Sequence, residues 1–422
     1  MHFCTFAGFA ACELIVAPAP ARLFFANMVY YRPWWEPGWP LLLFWEEFMF
    51  LAEHHTRRIE RILRNSALRF ADLAIGTSAG LSAWCSWRRT AECESGRLSV
   101  GDVAAPPARY LVASLTKPFA ATLAVQLAAE GAFWLNEPVR RFLPAFSRGP
   151  LRTITLRHLL THTSGLPDML PENDQLRARH AQVPEFADAV SRIDPAFQPG
   201  TSLSYCSMGF AVLESVIRSV TGQTFPELFQ QLLFQPLQLQ NSWLGLPLSD
   251  AQELLEQTIA CELPASQPAD SNWHWNSLYW RTLGAPWGGL ITTAADLGEL
   301  LGLMLRGGSS SEGSQVLSFS VVESVVSNQT QYSAGLGEQD RLRRPWGYGW
   351  RFNWLDHSGC FCDLLPADSI GHWGATGTLM WADRRSGSWG VVLTNQPWER
   401  SQPTIQRLSN VLVDAGGVWR EA

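Results

Sequence analysis

The residues in this sequence best suited to covalent chemistry are a serine and a lysine three positions apart. They stand in the run S-L-T-K at residues 114–117, which Pro118 follows. Residues 115–130 have the pattern of a helix, and proline is tolerated in a first helical turn. Spacing of three places the Ser114 hydroxyl and the Lys117 amine on one face of that turn, where the helix dipole favours a developing alkoxide. The pattern predicts a serine nucleophile with an activating amine.

Lysine usage points to the same position. Of the 32 basic residues only Lys117 is a lysine, and the other 31 are arginines. A neutral lysine can accept a proton from serine, whereas arginine stays charged. The alternative is an ordinary helix start with a solvated lysine, which gives no reason for this position to differ from the rest. We therefore predict that Lys117 is the base.

Two further motifs could serve the same reaction. Y-C-S at residues 205–207 precedes a helical pattern, and a neighbouring ammonium can lower a phenol pKa, which would make Tyr205 a proton shuttle. The alternative is a tyrosine packed in the core. G-H-W-G-A-T-G at residues 371–377 is dense in glycine, so its backbone could approach a ligand closely and offer N–H groups to an oxyanion. The alternative there is a glycine-rich entry to a hairpin.

A competing nucleophile motif lies upstream. Residues 76–80 match G-x-S-x-G, the nucleophile elbow of α/β-hydrolases and patatin-like lipases, with Ser78 at its centre. That elbow requires a strand before it and a helix after it. The pattern here predicts the reverse, a helix over 57–70 and a strand over 80–94. A patatin-like lipase that uses Ser78 stays the mechanistic alternative.

Metal, cofactor and nucleic-acid functions find little support. His158 and His162 lie four apart without an H-E-x-x-H motif or an acidic third ligand, so His158 is predicted to be structural and no metal site is predicted. Phosphate-binding glycine loops are absent, and no cofactor is implied. A net charge of -6 and a pI near 5.9 argue against a nucleic-acid partner. The eight cysteines form no disulfide framework, which favours a reducing compartment.

The apolar stretches near the N-terminus are short. Residues 3–11 lack the basic start of a secretory signal, and residues 41–45 are followed by Glu46 and Glu47, far short of a membrane span. We therefore expect no transmembrane segment and a cytoplasmic location.

The order of patterns along the chain predicts its organisation. At 422 residues the chain is long enough for two structural units. Strand patterns occur near both ends and helical patterns dominate the middle. We predict an α/β domain built from 57–120 and 330–422, an inserted helical domain over 121–329, and an N-terminal extension of unknown role over 1–56.

Taken in order, S-L-T-K, Y-C-S and H-W-G resemble the three motifs of the serine β-lactamase and D-Ala-D-Ala-peptidase superfamily. The branch looks like that of class C β-lactamases, Streptomyces-type DD-carboxypeptidases and family VIII esterases. Residues 154–166 and 288–296 are also similar, and the match covers about residues 57–400. The resemblance implies an α+β fold, with a central antiparallel sheet flanked by helices, an inserted all-helical domain and a site at their junction.

Roles for the catalytic residues follow from the resemblance, position by position. It implies that Ser114 attacks the carbonyl of the substrate and that Lys117 and Tyr205 handle its proton. The acyl group would then be held on Ser114 until water releases it. A run of tryptophans at 273, 275, 280 and 287 could line an apolar acyl pocket, or could simply pack in the core.

The same resemblance implies a set of residues that bind the substrate. The backbone N–H groups of Ser114 and Ala375, beside Gly374, would form an oxyanion hole. Ser207 stands where the family has asparagine, and its shorter side chain is less suited to hold the amide of a β-lactam or peptide. His372 stands for the lysine or histidine of the third motif, and it is less reliably cationic than lysine at neutral pH.

The sequence therefore predicts a serine hydrolase that acts on small-molecule esters, amides or β-lactams, with esters favoured. A catalytically weak relative that binds a peptide or a cell-wall fragment is the alternative from another class. An intact serine, lysine and tyrosine argue against that alternative, because a silent relative tends to lose them.

Overall fold

A computed structural model describes residues 51–91, 93–101, 108–354 and 360–417. The predicted extension over 1–56 therefore lies outside the described residues, except for its last six. The strands are β1 Phe70–Thr77, β2 Gly80–Arg88, β3 Arg97–Gly101, β4 Tyr110–Leu111, β5 Trp243–Leu244, β6 Leu290–Thr292, β7 Arg351–Phe352, β8 Ile370–Gly374, β9 Thr378–Asp383 and β10 Ser388–Thr394.

Helices connect and cover these strands. They are α1 Glu53–Arg64, α2 Thr116–Ala129, α3 Leu156–Leu160, α4 Asn173–Ala178, α5 Val183–Val190, α6 Met208–Thr221, α7 Phe225–Phe229, α8 Ala251–Glu256, α9 Leu278–Thr282, α10 Ala294–Leu305, α11 Phe319–Val326, α12 Glu338–Arg343 and α13 Trp398–Gly417. Short helical turns add Ala113–Leu115, Val139–Arg141, Pro144–Ser147, Gly149–Thr153 and Gln230–Phe234.

Seven strands form an antiparallel sheet in the order β3-β2-β1-β10-β9-β8-β7. The first and the last strand in chain order are neighbours in its centre, where Leu73 of β1 lies opposite Val392 of β10. The arrangement confirms the predicted central antiparallel sheet.

Both faces of this sheet are covered. Side chains alternate across a strand, so Leu73 and Ile75 pack with α1 and α13 while Ala74 packs on the opposite face with α10. Along β10, Val392 likewise lies in one core and its neighbours Val391 and Leu393 lie in the other. The sheet is therefore the middle layer between two helical layers, as the fold prediction requires.

The segment between β4 and β7 is helical apart from two short strands. These strands, β5 and β6, join β4 in a second, three-stranded sheet in which β6 lies in the centre and pairs with both β4 and β5. Leu111 of β4 lies opposite Ile291 of β6, directly before the 3₁₀ turn that carries Ser114. The boundaries predicted for the helical domain, 121–329, stay a prediction.

The helix predicted over 57–70 is too long. The structure ends α1 at Arg64 and begins β1 at Phe70. Residues 71–76 of β1 are all buried, because the strand is covered on both faces, so its apolar run lacks the alternation that marks a half-buried strand.

In the ranges that the structure covers, none of the helices is long and apolar enough to cross a membrane. The cytoplasmic location stays a prediction. Six cysteines fall within these ranges and all are free thiols, namely Cys85, Cys93, Cys206, Cys261, Cys360 and Cys362.

Candidate active site

The nucleophile follows a backbone kink. Ala113 has φ 47°, a left-handed conformation that costs energy for a residue with a Cβ and that clusters at functional sites. Thr116 fixes the kink, because its Oγ1 donates to the Ala113 carbonyl at 2.7 Å and accepts the N–H of Leu290 at 3.1 Å. Ser114 therefore stands on a 3₁₀ turn that leads directly into α2, as predicted.

Ser114 and Lys117 are in contact. The distance between Lys117 Nζ and Ser114 Oγ is 2.8 Å, and Nζ also donates to the carbonyl of Trp287 at 2.7 Å. Lys117 is 0% exposed, and burial lowers the pKa of its amine to about 7, against a smaller raising effect from Asp168. A large share of this amine is therefore unprotonated at neutral pH.

Tyr205 of the second motif covers the same amine. Lys117 Nζ lies 4.8 Å from the centroid of its ring. The Tyr205 hydroxyl is buried without a hydrogen-bond partner among the described residues, and burial raises its pKa well above 10, while Ser114 acts to lower it. The prediction of a lowered phenol pKa is therefore wrong, because the cost of burying a phenolate exceeds the help of its neighbours. At neutral pH the Tyr205 phenol therefore keeps its proton.

His372 lies beside Tyr205, with 5.8 Å between the ring centroids. It is 1% exposed, and burial together with Lys117 lowers its pKa well below 6.5, so the ring is neutral. Its Nδ1 donates to the Trp373 carbonyl at 2.7 Å, which leaves Nε2 as an acceptor without a partner among the described residues. The expectation that His372 is less cationic than a lysine agrees with this environment.

Ser207 begins α6 next to Tyr205. Its backbone N–H donates to Asp168 Oδ1 at 3.0 Å, and its hydroxyl forms no hydrogen bond with a described residue. Ser207 is buried, and its side chain reaches less far than the asparagine of the family.

The turn after β8 is fixed to the segment before the nucleophile. Thr376 Oγ1 donates to the Leu111 carbonyl at 2.6 Å, and Thr378 Oγ1 donates to the Val112 carbonyl at 3.0 Å. A Cβ at Gly374 would lie 2.3 Å from the Val112 carbonyl oxygen, so only glycine allows this approach. The contacts bring the predicted oxyanion segment alongside Ser114.

Ala375 is half-buried in this turn. Its carbonyl accepts the N–H of Trp398 at 3.0 Å, whereas its own N–H has no partner among the residues described. An unpaired N–H beside the nucleophile is what an oxyanion hole requires. The oxyanion role of Ser114, Gly374 and Ala375 stays a prediction.

Sequence reasoning missed Asp168, His162 and Arg351. Asp168 binds the backbone of Ser207 and raises the pKa of Lys117, and it directly follows the stretch 154–166 that resembles the family. His162 lies inside that stretch, where it was considered only as a metal ligand. These two positions could have been suspected from their place next to a family-like stretch.

Arg351 is the least expected of the three. It is 3% exposed, yet its Nε and Nη2 atoms have no hydrogen-bond partner in the part of the chain that the structure describes, and burial lowers the pKa of its guanidinium to about 9. The guanidinium lies 3.9 Å from the ring centroid of Trp354 and 6.0 Å from that of Trp373. It also acts on the pKa of both Tyr205 and His372. The site therefore contains a buried cation with two nitrogens that lack a hydrogen-bond partner among the described residues.

The tryptophans predicted near the acyl group are mostly buried, Trp275 less so. Trp287 supplies the carbonyl that binds Lys117, and its ring packs against Trp280 and Phe186 with centroids 6.3 and 5.4 Å apart. Packing explains these contacts, and an acyl pocket along them stays a prediction.

Ser78 lies away from this constellation. It is exposed in the hairpin turn between β1 and β2, where its N–H donates to the Gly387 carbonyl at 2.9 Å. A strand precedes the turn, contrary to the predicted helix, and another strand follows it. The nucleophile elbow requires a helix after the serine, so the patatin-like alternative is wrong.

A group of three side chains with metal-ligating atoms lies elsewhere in the described ranges. His54, His55 and Asp414 have such atoms within 4.8 Å of one another. The Asp414 carboxylate already binds Arg58 at 2.6 Å, and the group belongs to the contact between α1 and α13. His158 is the structural residue that was predicted, since its Nδ1 accepts the N–H of Thr155 at 3.2 Å at the start of α3.

Comparison with known proteins agrees with this geometry. The family model described as Beta-lactamase matches residues 98–408. The chain belongs to the beta-lactamase family. This match includes all three motifs and confirms the resemblance from which the site residues were inferred.

One curated relative is Penicillin-binding protein 4 of Amycolatopsis lactamdurans, 30% identical over 273 residues. The alignment covers 63% of this beta-lactamase family chain and 65% of the relative, so the chain spans less than two thirds of that protein's length.

Solved structures show the same fold. A penicillin-binding protein homologue from Caulobacter crescentus aligns with a TM-score of 0.67 at 18% identity, over 86% of this chain and 96% of its own. A family VIII carboxylesterase aligns with a TM-score of 0.66 at 18% identity, with the same coverage. At such identities these two structures confirm the β-lactamase-like fold.

Proposed function

We propose that this protein is a serine hydrolase that forms an acyl-enzyme through Ser114 and cleaves ester or amide bonds of small substrates. The observation that carries the proposal is the 2.8 Å contact between Ser114 Oγ and the Nζ atom of Lys117. Lys117 is fully buried and the pKa of its amine is about 7, which suits a general base at neutral pH.

The hydrogen bonds of the neutral Lys117 amine suit a general base. One N–H donates to the Trp287 carbonyl, and the lone pair is left to take the proton of Ser114 as Oγ attacks the substrate carbonyl. The oxyanion that forms would accept the N–H groups of Ser114 and Ala375. Tyr205, whose raised pKa keeps its proton, would donate to the leaving group and recover a proton from the Lys117 ammonium.

Water then attacks the acyl-enzyme. The neutral Lys117 amine removes a proton from this water, and the resulting ammonium returns the proton to Ser114 Oγ, which leaves as the acid product forms. No cofactor takes part in this scheme, because every proton is carried by a residue of the site.

Arg351 favours a substrate with an anionic group. A buried guanidinium with unpaired N–H groups is costly, and a carboxylate is the partner that its geometry fits best. His372 is neutral, so Arg351 would supply the positive charge that the family places in its third motif. Ser207 is too short to hold the amide side chain of a cephalosporin, which favours simple esters over β-lactams.

A direct test combines turnover with labelling. Purified protein is assayed with p-nitrophenyl butyrate and separately incubated with a fluorophosphonate, and the adduct is read by intact mass. We expect ester hydrolysis and one adduct per chain. A relative that only binds peptide or cell-wall fragments would show neither, even in protein that melts cooperatively, and that result would refute the proposal.

A further inference from the structure

His162 forms hydrogen bonds with the backbone on both sides of Tyr205. The carbonyl of His162 accepts the N–H of Ser204 at 3.0 Å, and its Nδ1 accepts the N–H of Cys206 at 3.1 Å. Between these bonds the imidazole packs against the Tyr205 ring, with 4.7 Å between centroids. The backbone on each side of Tyr205 and the plane of its ring are therefore fixed by His162.

His162 is itself tightly held. It is 0% exposed and has φ 58°, a left-handed conformation that is uncommon outside glycine and asparagine. Its ring also packs against Trp346 and Phe210, with centroid distances of 4.5 and 5.9 Å. Burial and the nearby Lys117 lower its pKa to about 3, so the ring is neutral and Nε2 carries the proton.

We propose that His162 is a positioning residue for acyl transfer, which sets the Tyr205 ring over the Lys117 amine. The proposal rests on the proposed function, since it assigns His162 a part in the same reaction. His162 does not touch the reacting atoms. It acts through the hydrogen bond from Cys206 to Nδ1 and through its left-handed backbone.

The same arrangement keeps water away from the amine. Tyr205 covers Lys117, so a loosened Tyr205 would let water reach Nζ, relieve the burial that lowers the pKa, and raise that pKa. The other titratable or charged groups that act on this cluster are Asp168, Cys206, His162, His372 and Arg351. Asp168 and Cys206 raise the pKa of Lys117, while His162 and His372 are neutral.

Two substitutions distinguish the role of the His162 side chain from that of the His162 backbone. His162→Gly and His162→Asn both tolerate the left-handed conformation, but only asparagine offers an oxygen to the N–H of Cys206. His158→Asn is the control, since His158 is largely buried in α3 and binds the N–H of Thr155 instead. Each variant is assayed for kcat and KM with p-nitrophenyl butyrate along a pH series, and its melting temperature is measured.

For His162→Gly we expect kcat to fall by about 10- to 100-fold with KM within about threefold, because a small misplacement of a catalytic group has this effect. The acid limb of its pH profile should move to higher pH. His162→Asn should recover kcat to within about fivefold of wild type and return the acid limb of the pH profile to its wild-type position, because asparagine again offers an acceptor to the N–H of Cys206. His158→Asn should change the melting temperature and leave the acid limb of the pH profile at its wild-type position.

A folded His162→Gly protein with the kcat and acid limb of wild type would overturn the positioning role. A folded His162→Asn protein with a kcat as low as that of His162→Gly would also overturn the positioning role. If His162→Gly does not fold, His162→Asn tests the proposal alone. A loss of kcat beyond about tenfold in His162→Asn would then contradict the positioning role. A wild-type protein without turnover or labelling would refute the proposed function itself, which is a distinct result.

Discussion

The amine of Lys117 lies over the ring face of Tyr205, with 4.8 Å between Nζ and the ring centroid. Burial acts on both groups in opposite directions, since it lowers the pKa of the amine to about 7 and raises the pKa of the phenol well above 10. At neutral pH the pair therefore joins an amine that can be unprotonated to a phenol that keeps its proton. The amine is the base of the proposed mechanism and the phenol is the donor.

Replacing the base with a permanent cation tests that assignment. Lys117→Arg keeps a positive charge but removes the lone pair, because arginine does not deprotonate. We expect kcat/KM for p-nitrophenyl butyrate to fall by about 10²- to 10⁴-fold, the usual effect of removing a general base. The fold should survive, as judged by a cooperative melt. A folded variant with near-wild-type ester hydrolysis would show that the amine is not the base.

The pH profile should report the same group. Lys117 must be neutral to act, so kcat/KM should fall as the pH falls through about 7, where the amine becomes protonated. The Asp168 carboxylate raises this pKa. Asp168→Asn keeps an oxygen for the N–H of Ser207 and removes the charge, so its acid limb should move to lower pH. An unmoved limb, or one that moves upward, would contradict the electrostatic account.

Much of this site is local in sequence, and that part could be predicted. Ser114 and Lys117 lie three residues apart on one helical turn, so their contact follows from helix geometry alone. Arg351 and Tyr205 come from segments far apart along the chain, and no local pattern shows that they meet. The direction of the Tyr205 pKa also depends on burial, which only the fold reveals.

The same distinction applies to the fold. The alternating pattern of β2 could be located, whereas β1 is covered on both faces, lacks that alternation and was not predicted as a strand. The left-handed backbone of Ala113 is held by Thr116, whose Oγ1 donates to the Ala113 carbonyl and accepts the N–H of the distant Leu290. The left-handed backbone of His162 is held by a hydrogen bond from the N–H of the distant Ser204 to the His162 carbonyl. Sequence alone gives no signal for either conformation.

Substrate preference should favour esters over β-lactams. Ser207 is shorter than the asparagine of the family, so the side chain of a cephalosporin loses a contact that a simple ester does not need. We expect a higher kcat/KM for p-nitrophenyl butyrate than for nitrocefin, measured with the same preparation. The reverse order would restore the β-lactamase interpretation.

Arg351 should select for a negative charge on the substrate. Arg351→Met keeps a long unbranched side chain at this position and removes the guanidinium, which lies over the Trp354 ring. The ratio of kcat/KM for mono-p-nitrophenyl glutarate to that for p-nitrophenyl butyrate should fall by about 10- to 100-fold, as expected for a charged hydrogen bond of about 1.5–3 kcal/mol. Arg177→Met is a matched control, because Arg177 is also buried and lies 4.1 Å from the ring centroid of Trp280. An unchanged ratio in the Arg351 variant would contradict the anion role.

The identity of the nucleophile is the central claim, and covalent labelling of two serine variants tests it most directly. Wild-type protein, Ser114→Ala and Ser78→Ala are each incubated with a fluorophosphonate, and the adduct is measured by intact mass. Ser78 lies exposed in the turn between β1 and β2, so its loss should leave labelling intact, whereas the loss of Ser114 should abolish both the adduct and ester turnover. An adduct that persists in Ser114→Ala and disappears in Ser78→Ala would contradict the mechanism.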